Sequence, residues 1–165
     1  DDAISLFNFG ADKILVNQAI FKDPDLVTKL SQKFGQQSVV GSVDVRRKGG
    51  DFQVFTNKGA QAQPVDYLGE LISQGHLGEV YLNSIDRDGT GQGMDSGIVE
   101  ILDNSFQVPL ILAGGAGRPE HLLDAIRSPS VNGVATANLL NFIGDGLRKT
   151  RESIASAGVE LAQWK

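Results

Sequence analysis

An aspartate that closes a buried apolar run is the first residue of this sequence that could do chemistry. Asp44 ends the stretch Ser38–Asp44, which is otherwise rich in valine and typical of a buried strand. A lone carboxylate is costly to bury, so packing does not account for its position. At a strand end it can serve as a general acid or base. The position also fits a salt bridge to Arg46 or Arg47, and the sequence leaves both interpretations open.

Two glycine-containing loops follow later strands of the predicted sheet. The run from Asn83 to Gly93 combines glycines with the carboxylate of Asp88, which is typical of a ligand-binding loop, although a turn-rich surface loop is the alternative. The run 113–117 (Ala-Gly-Gly-Ala-Gly) precedes a helix start at Pro119, where free N–H groups and the helix dipole favour anions. It matches neither the P-loop nor the G-x-G-x-x-G pattern. We therefore predict a phosphate cradle, completed after the next strand near Asn138.

The elements that position these loops alternate along the whole chain. Continuous apolar runs near positions 13, 38, 79, 108 and 131 are separated by amphipathic helical patterns. Buried parallel strands covered by helices have this arrangement. The segment 52–56 instead alternates in period two after a glycine-containing turn, and predicts the arm of an inserted β-hairpin. The prediction is one α/β domain with about five parallel strands, flanking helices and a hairpin.

The length suggests which parallel fold this is. A (βα)8 TIM barrel uses about 31 residues per unit, so 165 residues correspond to about five units. The chain begins in a predicted helix that Gly10 closes, with no strand before it. We therefore expect residues 1–165 to form an incomplete (βα)8 barrel that lacks the first three strands. Periodicity alone fits a complete, doubly wound sheet of five strands equally well.

The composition excludes several classes of protein. A net charge of −5 argues against a nucleic-acid binder, which needs clustered basic residues. The chain has no cysteine, and its two histidines, His76 and His121, lie far apart, so a disulfide scaffold, thiol catalysis and a metal centre are not expected. No apolar run approaches about 18 residues. The N-terminus lacks a basic region, so we expect a cytoplasmic protein with no signal peptide and no membrane contact.

Four runs of residues resemble the cyclase subunit of imidazole glycerol phosphate synthase, in the same order and over the whole chain. The Ser-Ile-Asp-Arg-Asp-Gly-Thr run is the most specific of Gly10–Lys13, Gly35–Asp44, Ser84–Thr90 and Gly114–His121. The resemblance implies a (βα)8 barrel of two similar halves. It also implies a lyase and cyclase of histidine biosynthesis, which takes ammonia from a glutaminase partner and cleaves and cyclises a ribulose-type nucleotide. No metal or organic cofactor is implied.

The resemblance also implies a role for individual residues. Asp44 matches the catalytic aspartate of the family's fifth strand, whereas the second catalytic aspartate lies outside this chain, so the chain alone is expected to be inactive. Lys13 and Glu79 match the ammonia gate, and Asp12 matches the contact surface for the glutaminase. The positions that match substrate or phosphate binding are Asn17, Asn83, Asp88, Gly89, Thr90, Gly114, Gly115, Gly117 and Asn138.

Departures from the family pattern leave two other functions open. Strand ends that usually carry hydroxyl residues hold Asn83, Ala113 and Asn138 here, which is more similar to paralogues that amidinate nucleotide sugars for surface polysaccharides. A non-catalytic, phosphate-binding barrel fragment is the third possibility. Five strands cannot close a barrel, so we also expect self-association through an uncovered inner face. The candidates for that face are Val16, Val40, Val43, Leu82 and Ile111.

Overall fold

The computed structural model of the chain describes residues 2–64, 66–101, 107–137, 139 and 146–162. Within these residues, seven strands form one sheet: β1 (Ile14–Val16), β2 (Val39–Lys48), β3 (Asp51–Thr56), β4 (Gln61–Gln63), β5 (Glu79–Ser84), β6 (Leu110–Ala113) and β7 (Gly133–Ala135). The described α-helices are α1 (Asp2–Asn8), α2 (Ala19–Lys22), α3 (Pro24–Phe34), α4 (Asp66–Ser73), α5 (Pro119–Ile126) and α6 (Gly146–Ser156). Two 3₁₀-helices span Gln36–Ser38 and Ser96–Ile101.

The order of the parallel strands distinguishes the two predicted folds. β1, β2, β5, β6 and β7 pair in that order, each parallel to the next. A doubly wound sheet reverses its strand order at a switch point, whereas a barrel keeps chain order throughout. No reversal occurs among the described strands, so the doubly wound alternative is wrong. The prediction of five parallel strands from a partial (βα)8 barrel is confirmed.

The predicted hairpin is formed by the carboxyl-terminal part of β2 and by β3. Residues 44–48 of β2 continue beyond β1 and pair antiparallel with β3. Lys48 pairs with Asp51, so Gly49 and Gly50 form a two-residue turn with φ of 63° and 99°. Positive φ at both central residues is the requirement of a type I′ hairpin turn, which explains the two glycines. A further short strand, β4, pairs with β3 and was not predicted from the sequence.

Local signals in the sequence account for the helix ends near the sheet. The side chain of Asp23 accepts a hydrogen bond from the Leu26 N–H at 3.2 Å, and Pro24 follows at the first helical position of α3. Gly35 ends that helix with φ of 86°. Between β5 and β6, the segment Ser96–Ile101 forms a short 3₁₀-helix. No helix in the described ranges has the length and apolar character needed to cross a membrane.

The two faces of the sheet are chemically different, and the inner face was partly mispredicted. Val16, Val43 and Leu82 pack in the main hydrophobic cluster with apolar residues of α2, α3 and α4, so they lie beneath the helices. Val40 and Ile111 lie outside that cluster, on the opposite face. Side chains alternate along a strand, so placing Asp44 on the inner face forces Val43 outward. Apolar character alone did not reveal this register.

Candidate functional site

Asp44 is held by two amide side chains from neighbouring strands. The Asn17 Nδ2, just after β1, donates to the Asp44 Oδ2 at 3.3 Å and to the Ser42 carbonyl oxygen at 3.1 Å. The Asn83 Nδ2, in β5, donates to the Asp44 Oδ1 at 3.3 Å. Each carboxylate oxygen therefore accepts one neutral N–H, and each keeps a further lone pair. The arrangement orients the carboxylate without neutralising its charge.

The arginines that follow Asp44 do not pair with it. The Arg46 Nε lies 3.1 Å from the Asp86 Oδ1, and the Arg47 Nη2 lies 3.3 Å from the Asp95 Oδ2. The Arg47 backbone N–H also donates to the Asp86 Oδ2 at 2.9 Å. The sequence allowed a salt bridge between Asp44 and either arginine, and the structure excludes it. These contacts instead attach the loop after β5 to the extended end of β2.

A small pocket lies beside Asn83, between the loops that follow β5, β6 and β7. Its volume is about 110 Å³, and its walls are Tyr81, Asn83, Asp88, Gly89, Gly114, Gly115, Ala116, Ala135, Thr136 and Ala137. The N–H groups of Gly115 and Ala116 have no hydrogen-bond acceptor among the described residues. Two N–H groups in a concave glycine-lined pocket, one turn before the start of α5, can bind an anionic oxygen.

Two glycines of this pocket are required by their backbone geometry. Gly114 has φ of 94°, and an added Cβ would lie 2.6 Å from the Ser84 carbonyl oxygen. Gly115 has φ of 92°, and its added Cβ would lie 2.2 Å from the Gly93 carbonyl oxygen. The Gly93 N–H donates to the Gly115 carbonyl oxygen at 2.8 Å. The loop after β6 is thus packed directly against the loop after β5, and a side chain would separate them.

Of the predicted binding residues that the structure describes, Asn17, Thr90 and Gly117 do not line this pocket. The Gly117 N–H donates to the His121 Nδ1 at 3.2 Å, so it is occupied within the loop. The Thr90 hydroxyl donates to the Arg87 carbonyl oxygen at 2.7 Å within its own turn. Asn138 lies outside the described residues, although Thr136 and Ala137 just before it line the pocket.

The residues predicted for an ammonia gate lie at the other end of the strands. Lys13 and Glu79 form an ion pair between the start of β1 and the start of β5, across the intervening β2. The side chain of Glu79 is 20% exposed and that of Lys13 is 45% exposed. Asp12 is exposed at the same end. The predicted gate and contact residues are therefore grouped together, away from Asp44.

Tyr81 is a site residue that the sequence analysis missed. It lies on the inner face of β5, two residues before Asn83, and lines the glycine pocket. Burial raises the pKa of the Tyr81 phenol above its ordinary value of 10.0, and the negative charges of Asp88 and Asp44 raise it further. The phenol is therefore protonated at neutral pH and able to donate a hydrogen bond. The period-two spacing from Asn83 was the available signal, because residues i and i+2 share a face.

The donor groups of the site are not arranged for a metal. Within the part of the chain that the structure describes, no three His, Asp or Glu side chains come together closely enough to hold an ion. What the site offers is one amide-held carboxylate, a phenol, a second carboxylate at Asp88 and glycine N–H groups. This set can transfer a proton and bind a phosphorylated, hydroxyl-bearing molecule.

Comparison with known proteins finds relatives that match almost the whole chain. A family model described as histidine biosynthesis protein matches residues 1–144. A Parasynechococcus marenigrum (strain WH8102) protein, provisionally named imidazole glycerol phosphate synthase subunit hisF2, is 41% identical over 169 residues, which cover 99% of this chain and 62% of the relative. Imidazole glycerol phosphate synthase subunits HisF from Chlorobium limicola and Pyrobaculum aerophilum are 32% and 35% identical, each over 98% of this chain.

The matched regions cover 65% and 64% of those two relatives, so the chain spans slightly less than two thirds of their length. The family model extends from the helix before β1 to beyond β7, and so includes Asp44, both pocket loops and the Lys13–Glu79 pair. The chain belongs to the histidine biosynthesis protein family.

Proposed function

We propose that this chain contributes part of the active site of an imidazole glycerol phosphate synthase cyclase. In that reaction, ammonia is used to cleave and cyclise a ribulose-type nucleotide, giving imidazole glycerol phosphate and an aminoimidazole carboxamide ribotide. Asp44 transfers a proton during the reaction, and the pocket beneath the loop after β6 holds one phosphate group of the substrate. The proposal follows from family membership and from the chemistry of the site.

The observation that carries the proposal is the way Asp44 is held. Its two carboxylate oxygens accept hydrogen bonds from Asn17 and Asn83 at 3.3 Å, and none of the ion pairs among the described residues includes it. An aspartate with a purely structural role near two arginines would form a charge-assisted hydrogen bond with one of them, as Asp86 and Asp95 do. A proton-transfer group instead needs a fixed direction and an oxygen that remains open to the substrate.

The reaction also needs a site that binds the substrate, and the glycine-lined pocket can provide it. The N–H groups of Gly115 and Ala116 are available to a phosphate oxygen, and the N-terminus of α5 adds its positive dipole. Asp88 lines the same pocket and can accept from a hydroxyl of the bound molecule. Asn17 and Asn83 hold Asp44 in place and present their amide groups to the polar centre of the substrate.

A glutaminase partner would supply the ammonia. The Lys13–Glu79 ion pair and the exposed Asp12 lie at the end of the strands opposite Asp44. In this proposal, the partner contacts the surface that includes Asp12, and ammonia passes the ion pair to reach Asp44 through the inside of the barrel. The expected site of this reaction is the cytoplasm.

The test is an activity measurement on a chimera. The chain is joined to the segment of the Parasynechococcus marenigrum relative that it does not match, and activity is assayed with ammonium and the ribulose-type nucleotide. We expect ammonia-dependent product formation. In this chimera, Asp44→Asn should lower the turnover number by about 10²–10⁴, the usual contribution of general acid–base catalysis.

The matched control is Asp124→Asn, the same change at an exposed position on α5. Its turnover should equal that of the parent chimera. Equal turnover for Asp44→Asn and Asp124→Asn would make Asp44 structural and would contradict the proposal. A folded chimera that binds phosphate but forms no product would favour a non-catalytic binding module instead.

A further inference from the structure

Tyr81 differs from every other residue of the five parallel strands. It is the one aromatic side chain in the described parts of β1, β2, β5, β6 and β7. Apolar and small residues dominate these strands, and Leu82 next to it packs beneath the helices. Tyr81 points to the other face, is half-buried, and lines the glycine pocket. A large amphipathic ring at this place needs an explanation beyond core packing.

The sheet register shows where the ring lies relative to Asp44. Tyr81 is paired with Ser42 of β2 and with Ile111 of β6, and Ile111 is paired with Gly133 of β7. This row lies directly beneath the row that contains Asp44 and Asn83. Of the residues that line the pocket, Tyr81 lies furthest toward the start of the strands.

The polar groups around the pocket define what it can bind. Besides the glycine loop, its polar side chains are the Tyr81 phenol, the Asn83 amide, the Asp88 carboxylate and the Thr136 hydroxyl. A second anionic group of a ligand would be repelled by Asp88 and by the nearby Asp44. An apolar group would leave the half-buried phenol without a partner, which costs free energy. A hydroxyl group can accept from the phenol and donate to the Asp88 carboxylate.

We propose that Tyr81 is a specificity-determining residue: its phenol binds a hydroxyl of a polyol phosphate whose phosphate group lies on the glycine loop. This rests on the proposed function, because it assumes that the loop after β6 binds phosphate. It goes beyond the proposed function by assigning a residue that recognises the part of the ligand next to the phosphate group. The phenol stays protonated over the physiological range, since burial and the charges of Asp88 and Asp44 raise its pKa. It can therefore donate to the ligand while Asp88 accepts from it.

The test compares two ligands of equal length that differ only in hydroxyl groups, glycerol 3-phosphate and propyl phosphate. Binding to the 165-residue chain is measured by isothermal titration calorimetry, with inorganic phosphate as a third ligand. The chain should prefer glycerol 3-phosphate. Tyr81→Phe should reduce that preference by roughly 2- to 10-fold, the range for one lost hydrogen bond, and should leave the affinity for inorganic phosphate unchanged.

The control is Tyr67→Phe, because position 67 in α4 is the other tyrosine of the chain. It should keep the full preference for glycerol 3-phosphate. A second measurement needs no variant: the ¹³Cζ resonance of Tyr81 should shift on addition of glycerol 3-phosphate and stay in place with propyl phosphate.

The outcomes separate this inference from the proposed function. If Tyr81→Phe binds inorganic phosphate and keeps the full preference, the role of Tyr81 is refuted and the phosphate cradle stands. An equal shift of the Tyr81 resonance with both ligands also refutes it. If the unaltered chain binds none of the three ligands, the cradle and the inference fail together.

Discussion

Asp44 and Asp86 lie at the same end of the sheet and are held in opposite ways. Asp44 accepts only neutral amide N–H groups, from Asn17 and Asn83. Asp86 accepts one hydrogen bond from the Arg46 guanidinium at 3.1 Å and another from the backbone N–H of Arg47 at 2.9 Å. An arginine cancels the charge of a carboxylate, whereas an amide only directs it. The proposed function assigns proton transfer to Asp44, whereas the contacts of Asp86 attach the loop after β5 to β2.

The structure also shows why Arg46 does not reach back to Asp44. The two residues are separated by one position on β2 and so share a face of the strand. The Arg46 guanidinium lies over the Phe55 ring, 5.2 Å from its centre, and its Nη1 donates to the Gly59 carbonyl oxygen at 3.2 Å. These hairpin contacts, together with Asp86, hold the guanidinium at the mouth of the barrel. The inserted hairpin thereby keeps Arg46 from forming an ion pair with Asp44.

Short of replacing Asp44 itself, removing both of its amide donors should have the largest effect. The double variant Asn17→Leu and Asn83→Leu keeps a similar side-chain volume and removes both donors. In the chimera, we expect the turnover number to fall about 10²-fold, as for a catalytic group displaced by about 1 Å. Asn8→Leu, at the exposed end of α1, is the control and should leave turnover unchanged. Normal turnover in the folded double variant would show that Asp44 needs no orientation.

A smaller effect of a different kind is expected for Asp86→Asn. Asp86 and Arg46 have 41% exposed side chains, so the lost ion pair should lower the free energy of unfolding by only about 0.5–1 kcal/mol. Urea denaturation measures this difference, with the exposed Asp51→Asn as control. The turnover number should stay close to that of the parent, because Asp86 only anchors the loop that carries Asp88. A fall in turnover as large as that of Asp44→Asn would remove the distinction between the two carboxylates.

The smallest effect is an ionisation shift at Tyr81. The charge of Asp44 helps to raise the pKa of the Tyr81 phenol, so Asp44→Asn should lower that pKa toward 10.0. Asp86→Asn should leave it unchanged, because Arg46 already neutralises that charge. Ultraviolet titration of tyrosinate in a Tyr67→Phe background reports on Tyr81 alone. Equal shifts in both variants would show that pairing with Arg46 does not screen Asp86.

The raised pKa of the Tyr81 phenol also predicts how the free energy of unfolding changes at alkaline pH. The pKa of Tyr81 is higher in the folded chain than in the unfolded chain, so the unfolded state loses its proton first as the pH rises above about 10. The contribution of Tyr81 to the free energy of unfolding is therefore fully present below that pH, and it is lost as the pH rises toward the pKa of the folded state. Tyr81→Phe should show a smaller alkaline loss than the parent chain in urea denaturation. An identical pH profile would contradict a raised pKa.

Sequence signals predicted the elements whose causes are local. The predicted helix start at Pro119 agrees with the structure, because the signal of a proline at the first helical position acts within one turn. Asp44 was also singled out as a candidate, since a carboxylate within an apolar run is visible without any tertiary contact, although the strand continues beyond it to Lys48.

Features that depend on pairing between distant segments were not predicted. The carboxylate partners of Arg46 and Arg47 lie 39 to 48 positions away, on the loop after β5, and only the strand register brings them together. The prediction of which residues line the inner face was partly wrong, because Val43 and Leu82 are as apolar as the residues that do face inward. Tyr81 was missed for a related reason: within a buried strand, an aromatic residue resembles core packing until the register places it beside Asn83.

The central claim is that the loop after β6 binds phosphate at the same end of the sheet as Asp44. The most direct measurement is an NMR titration of the ¹⁵N-labelled chain with inorganic phosphate. The amide resonances of Gly115 and Ala116 should shift first, and Gly117 should shift less because its N–H is bonded to His121. Shifts confined to residues near lysine and arginine side chains elsewhere, with Gly115 and Ala116 unchanged, would contradict the account.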